Sequence, residues 1–453
     1  NTAYGHEAMD AITTGDDNTA VGYLSLSANT TGTNNVAVGK DSLDSNTTGS
    51  SNVAVGVDSL QGNVTGASNV AIGMQALKTN TADANIAIGG GAAEANSSGT
   101  RNIAIGHDAY TASDTENDNL AIGYQAMTTN TAGGTKLLAI GNYALDAATS
   151  GDKNIGVGYA ALGAVTSGSE NVAVGDNALS LVTATNGNTA VGAQAGEAVV
   201  GASNTAVGQY ALKAATTTND NTAVGASSLT ANTGGASNTA VGSGSLAANT
   251  TGASNTAVGS GAAGANTTAS FGVAVGVQAL TSNTTGASNT AVGHYGMLYN
   301  TTGANNTAVG KDALYTCVTS SGNTAIGMNA LRLATNDDCT AVGIKALAAN
   351  STGADNTAVG AYALEGNTTG GSNVAIGMDT LKANTTGVRN IAVGSEAYNA
   401  SDTENDNVAI GHAAMTTNTA GGTRNVAVGN YALDALTSAD DNVAVGHTAG
   451  TSI

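Results

Sequence analysis

One unit of seventeen residues recurs along the whole chain and constrains its fold more than any other property. It reads Asn-Thr-Ala-Val-Gly, two free positions, Ala/Ser-Leu, and then a loop ending in Asn-Thr-Thr-Gly. Units start at residues 1, 18, 35, 52, 69, 85, 102, 119, 137, 154, 171, 188 and 204. They continue at 221, 238, 255, 272, 289, 306, 323, 339, 356, 373, 390, 407, 425 and 442, with three intervals of 16 and two of 18 among uniform 17s. A unit this short cannot bury an apolar face alone, so copies must stack as a solenoid.

Numbered from its Asn, a unit holds Asn at position 1 except at Leu137, Gly272 and Cys339. Position 3 is Ala except for Gly156, position 4 is Val or Ile except for Tyr4, and position 5 is always Gly. Alternation with Val, Ile and Thr enrichment predicts a short strand over positions 1–4, ended by the Gly. Positions 8 and 9 (Ser42-Leu43, Ala279-Leu280) predict a second short strand, and Asn-Thr-Thr-Gly supplies turn chemistry. Two strands and two turns per unit describe an all-β fold, a parallel β-roll or β-solenoid of about 27 coils. It would span residues 1–453 without an internal linker, as a rod roughly 130 Å long at about 4.8 Å per coil.

Composition fits a thin core. With 63 Gly, 3% aromatic residues, no Trp and one Phe, only Ala, Val, Ile and Leu remain to fill it. Pro is absent, where about twenty would be ordinary for this length. In stacked coils nearly every backbone N–H is needed, and Pro has none. The net charge of −20 argues against nucleic acid and anionic membranes as partners. No apolar run approaches a membrane span, and no signal peptide precedes the first unit. The chain opens on a repeat rather than on Met, and Ile453 stops at position 12 of the last coil. Two uncapped ends suit a fragment, a chain that lost a leader, or a subunit that stacks end to end.

The strand alternation leaves two arrangements open. Either Val/Ile of position 4 points inward, and the small Ala and Gly outside admit a close neighbour. Or Ala lines a very thin roll, and an unbroken aliphatic column lies outside, larger than monomers usually expose. Both require a partner, so self-association is expected through Ala37, Val38, Gly39, Ala71, Ile72, Ala104, Ile105, Ala206, Val207, Ala257, Val258, Ala392 and Val393. Position 2 is aliphatic in coils 35–171, mostly Thr from 188 to 357, and aliphatic again to the end.

Residues 102–152 and 390–440 are near copies, sharing Ser-Asp-Thr-Glu-Asn-Asp-Asn at 113–119 and 401–407. Upstream, the coil at 85–101 has no counterpart in the second copy. A whole coil gained or lost without damage suits a spacer better than an active site of fixed geometry.

Candidates for chemistry are few. All five histidines (His6, His107, His294, His412, His447) occupy position 6, never in adjacent coils, and read as exposed loop residues rather than a metal site. Gly39-Lys40 and Gly310-Lys311 are repeat positions 5 and 6, not phosphate loops. Asp114, Glu116 and Asp118 are weak candidates for a cation, with a solvated turn favoured. Cys317 and Cys339 fall two coils apart, about 10 Å axially, against the roughly 7 Å that a disulfide spans; a bond is the less favoured reading. Asn-x-Thr sequons at Asn29, Asn46, Asn249, Asn283 and Asn367 are explained by turn geometry. No nucleophile–base pair, acid pair or metal motif emerges, so the chain reads as non-enzymatic and without a cofactor.

The units Asn-Val-Ala-Val-Gly (35–39, 52–56) and Asn-Ile-Ala-Ile-Gly (85–89, 102–106) resemble the head repeats of YadA-like trimeric autotransporter adhesins. Units such as that at 289–303, ending in Asn300-Thr-Thr-Gly, are similar to repeats of phage tail fibres. The resemblance implies a left-handed roll, commonly trimeric, acting as a rod that displays or contacts surfaces. Three functions follow as expectations. The first is a structural subunit of an extracellular or virion fibre, self-associated as a homotrimer or an end-to-end or lateral polymer. The second is a cell-surface adhesin or receptor-binding head meeting a surface or glycan receptor through variable loops. The third, ice binding, requires an unbroken outward Thr column, which position 2 lacks.

Overall fold

The computed structural model describes residues 1–214, 216–418 and 421–451; Ile453 lies outside them. It is all-β, a parallel β-solenoid with about seventeen residues per coil and no helix among the described residues. The chain forms two compact units, Asn1–Asn221 and Thr222–Ile453. In the first, thirteen three-residue strands run from Thr2–Tyr4 to Thr205–Val207; in the second, fourteen run from Thr222–Val224 to Val443–Val445. Each strand occupies repeat positions 2–4 and pairs in parallel and in register within its unit. Val36, Ala37 and Val38 thus face Val53, Ala54 and Val55.

The expected second strand does not form. Positions 8 and 9 lie in a turn whose positions 7 and 9 adopt left-handed backbone, as in Asp41 (φ 55°) and Leu43 (φ 50°), or Gln278 (φ 54°) and Leu280 (φ 55°). Backbone bonding between coils persists nonetheless. The Asp41 N–H donates back to Tyr23 O (2.9 Å), and the Leu43 N–H donates forward to Ser59 O (3.0 Å). Left-handed Leu costs about 1 kcal/mol or more per residue. The compensation is an intercoil hydrogen bond and full burial of the Leu side chain, the latter contributing about 1.5–3 kcal/mol.

Burial decides between the two arrangements of the strand. Position-3 Ala points inward and is fully buried in coil after coil (Ala37, Ala71, Ala257), opposite the equally buried position-9 Leu (Leu43, Leu77, Leu280). Positions 2 and 4 face out. The interior is therefore one Ala layer against one Leu layer.

Two asparagine ladders complete that interior. At position 1, the backbone N–H donates to the Asn Oδ1 of the preceding coil wherever that coil carries Asn there, as Asn52 does to Asn35 (2.9 Å). The Asn35 Nδ2 meanwhile donates to Gly49 O at position 15 (2.8 Å). At position 12, Asn46 Nδ2 donates both to Gly49 O (3.0 Å) and to the Asn29 Oδ1 of the coil before (3.0 Å). These amides are buried, so each unmade bond would cost about 1–3 kcal/mol. The asparagines of Asn-Thr-Thr-Gly are thus core residues, where turn chemistry alone had been expected. Four position-12 oxygens lose their partner where the next coil lacks Asn: Asn96 and Asn384 precede Ser113 and Ser401, and Asn130 and Asn418 precede Ala148 and Leu436; Asn63 Oδ1 is unpartnered although Asn80 follows, in a coil of 16 residues.

The invariant Gly of position 5 has a direct cause. In all 27 coils its φ lies between 128° and 144°, a region open to Gly alone. A Cβ on Gly293 would also stand 2.5 Å from Gly310 O of the next coil.

Candidate interaction surfaces

The outward sheet face consists of the columns at positions 2 and 4. Position 4 is aliphatic without interruption after Tyr4; Ile72 is 40% and Val258 38% exposed, and Val38, Ile105, Val207 and Val393 are half-buried. Of the residues expected to form a contact surface, these position-4 side chains and the half-buried Gly39 reach it. Ala37, Ala71, Ala104, Ala206, Ala257 and Ala392 do not, because they line the interior. In the first unit, nine successive coils from Val36 to Val172 are aliphatic at position 2 as well. With about 4.8 Å per coil and a width of about 10 Å, that stretch covers roughly 430 Å². This is already within the range of the largest apolar patch on a typical monomer, about 300–600 Å².

A second surface follows the turn at positions 6–11. Its position-6 histidines are exposed, with His6 and His107 side chains 70% and 64% accessible. They are not isolated, since rings from successive coils touch. His107 stacks on Tyr124 (centroids 5.9 Å apart), which meets Tyr143 edge-on (5.6 Å), which meets Tyr159 (5.7 Å). In the second unit Tyr431 lies between His412 and His447 (5.3 and 5.9 Å). These ring contacts went unseen in the sequence because Tyr alternates between positions 6 and 7. Three clefts open at the same place in the coil, between position 7 and positions 10–11. One holds Asp108 and Gln125 (about 400 Å³), one Tyr143, Tyr159 and Glu197 (about 440 Å³), and one Arg332 and Lys345 (about 380 Å³). The Gly-Lys pairs lie on this surface too, Lys40 reaching Asp41 (2.8 Å) and Lys311 reaching Asp312 (3.9 Å).

The acidic loop does not gather its carboxylates. Asp118 forms a two-point ion pair with Arg101 one coil earlier (2.5 and 3.0 Å), and that guanidinium holds its carboxyl below the usual range. Asp114 accepts from the Ser97 hydroxyl. Glu116 is no solvated turn residue, being 3% exposed. Its Oε2 accepts from Ser113 Oγ (3.2 Å) and the N–H groups of Asp114 and Thr115 (3.0 Å each), and its Oε1 from Gly133 N–H (3.1 Å). Among the described residues no cluster of three or more His, Cys, Asp or Glu is placed to hold a metal ion.

Glu116 belongs to a coordinated set of exchanges. Its coil carries Tyr110 for Leu at position 9, Ser113 for Asn at 12 and Glu116 for Gly at 15. The larger ring fills space that the smaller Ser vacates, and Tyr110 Oη accepts from Asn119 Nδ2 (2.7 Å). Burial pushes the Tyr110 hydroxyl up to about 12. The following coil is one of the two with 18 residues, and Glu116 holds the N–H of Gly133 in its enlarged loop. The second copy repeats every element: Tyr398, Ser401, Glu404, and Gly421 donating to Glu404 Oε1 (3.1 Å).

Cys317 and Cys339 are free thiols, both buried. Each fills an Asn place in a ladder, Cys317 at position 12 and Cys339 at position 1. The Sγ of each reaches the position-15 carbonyl that Asn Nδ2 usually serves: Ser320 O at 3.5 Å and Gly353 O at 3.3 Å. They stand in different columns two coils apart, and burial raises both thiols. The sequon residues Asn29, Asn46, Asn249, Asn283 and Asn367 are buried, with Nδ2 donating to the position-15 carbonyl. A glycan would break that bond.

Comparison with known proteins finds no matching family model and no curated relative. No helix among the described residues is long and apolar enough to cross a membrane.

Proposed function

We propose that the chain is a structural, non-enzymatic subunit that associates with copies of itself through the outward sheet face, as part of an extracellular or virion-associated fibre. The observation that supports this reading is the unbroken position-4 column, half-exposed Val or Ile on coil after coil. A solvated strand face is ordinarily polar; here position 4 stays aliphatic after Tyr4, and polar residues enter the outward face only as the Thr of position 2. Burying the nine-coil stretch in two copies removes about 860 Å², below the roughly 1,200 Å² lower bound of stable specific interfaces. Contact along all thirteen coils of the first unit, at about 4.8 Å per coil, reaches that bound. The reading therefore calls for long lateral contacts or several copies together.

The test replaces three position-4 residues of neighbouring coils with Lys (Val38→Lys, Val55→Lys, Ile72→Lys). Sedimentation and cryo-EM of the purified chain should find trimers or filaments for the parent, and a smaller species of unchanged circular dichroism for the variant. A parent that stays monomeric at high concentration sinks the proposal. A surface-binding adhesin is the second reading, favoured by the clefts along the turn. Ice binding has less support, because the outward position-2 column is Thr only in part.

A further inference from the structure

The four arginines divide into two kinds. Arg101, Arg389 and Arg424 each make a two-point ion pair with the Asp one coil on (Asp118, Asp406, Asp441), at 2.5–3.0 Å. Arg332 makes no ion pair among the described residues. Its guanidinium lies over the Tyr315 ring, 5.2 Å from the centroid, and it lines the cleft of about 380 Å³ in the second unit. Nearby charges are already matched: Lys345 with Glu365 (3.3 Å) and Lys311 with Asp312 (3.9 Å). Asp312 and Glu365 line the cleft together with Arg332 and Lys345, so carboxylates and cations balance there, and Arg332 is the lining cation without an ion pair among the described residues.

We propose that this cleft binds a small carboxylate-bearing, hydroxyl-rich ligand, an acidic sugar unit. Arg332 is half-buried, and ring stacking leaves its N–H edges free to take a planar carboxylate at two points. Asn329 and Glu365 stand beside it, an amide and a carboxylate that donate to and accept from hydroxyl groups. Leu333, Ala348 and Ala349 form the apolar part of the lining, suited to the C–H face of a ring. The volume falls at the small end of ligand clefts, about 300–1,000 Å³, which matches one or two rings. The proposal is independent of self-association, since the cleft lies on the turn and not on the sheet face.

Saturation-transfer NMR and calorimetry on the whole chain at low salt test it with glucuronate, glucose and acetate as probes. Glucuronate should bind, with glucose and acetate each weaker by about tenfold or more, since each lacks one half of the recognition. Arg332→Gln should weaken glucuronate by about tenfold or more with unchanged circular dichroism, and Arg332→Lys by less. Arg389→Gln, which removes an arginine already paired, should leave binding as it was. Glucuronate binding no tighter than glucose or acetate would overturn the proposal, as would full binding by a folded Arg332→Gln chain.

Discussion

Replacing Glu116 by Ala removes the acceptor of four hydrogen bonds: the Ser113 hydroxyl and the N–H groups of Asp114, Thr115 and Gly133. A bond to a charged group contributes about 1.5–3 kcal/mol. The three N–H groups are only part-buried, so water recovers much of the loss, leaving about 1 kcal/mol for each bond. Against a total of about 4 kcal/mol stands the desolvation of the buried carboxylate, relieved on its removal and of order 1–2 kcal/mol net of its bonds. The expected cost is about 2–3 kcal/mol. Because a repeat contacts only its neighbours, the loss should stay local. Amide hydrogen exchange at Thr115 and Gly133 should quicken about 30- to 150-fold, at 1.36 kcal/mol per factor of ten. The equivalent amides around Glu404 serve as an unperturbed internal reference. Glu116→Gly combined with deletion of Gly133, which restores the usual Gly at position 15 and a following coil of seventeen residues, should cost less than the two changes summed. Unchanged exchange at Thr115 and Gly133 in a folded Glu116→Ala chain would refute this account of the loop.

Two further outcomes follow. Gly293→Ala should destabilise its region by about 3 kcal/mol or more, from forbidden backbone and contact with Gly310 O; Gly234→Ala, where the backbone is ordinary and a Cβ would meet only Thr251 Cγ2 at 3.4 Å, should stay within about 1 kcal/mol. Urea titration followed by hydrogen exchange distinguishes them, and equal effects would contradict the backbone argument. Tyr110 and Tyr398, both raised by burial, remain neutral in the fold while an unfolded tyrosine ionises near pH 10. The unfolded chain then binds fewer protons, so stability falls as pH rises from about 10 towards 12, by about 2–3 kcal/mol for Tyr110. Replacing both with the usual Leu should move alkaline unfolding to higher pH, and an unmoved transition by circular dichroism would count against it.

Period, coil boundaries and the three-residue strand were legible in the sequence because Ala, Val/Ile and Gly recur at fixed positions. The second strand was misread because Ala-Leu has strand-like composition, while what shapes positions 7 and 9 is backbone of positive φ, which Leu does not advertise. The faces of the strand could not be assigned, since Ala and Val are both apolar. Only the Leu at position 9 fills the space, and it leaves room for nothing larger than Ala opposite. The asparagines carried a visible signal, near-invariance at position 1 and recurrence at position 12. Turn chemistry also favours Asn at these places, so residue type alone does not separate a solvated turn from a buried ladder. Charge pairs one coil apart, such as Arg101 with Asp118, become visible only when the sequence is written in rows of seventeen.

The amide ladders also explain how the chain tolerates changes of length. In the first copy, Asn85 N–H bonds Asn69 Oδ1 and Asn102 N–H bonds Asn85 Oδ1, each at 2.9 Å. In the second copy, where the middle coil is missing, Asn390 N–H bonds Asn373 Oδ1 at the same 2.9 Å. Every coil with Asn at position 1 therefore carries a plug on one side and a matching socket on the other, of constant polarity. Taking one out leaves a plug facing a socket, so the joint closes with no residue redesigned.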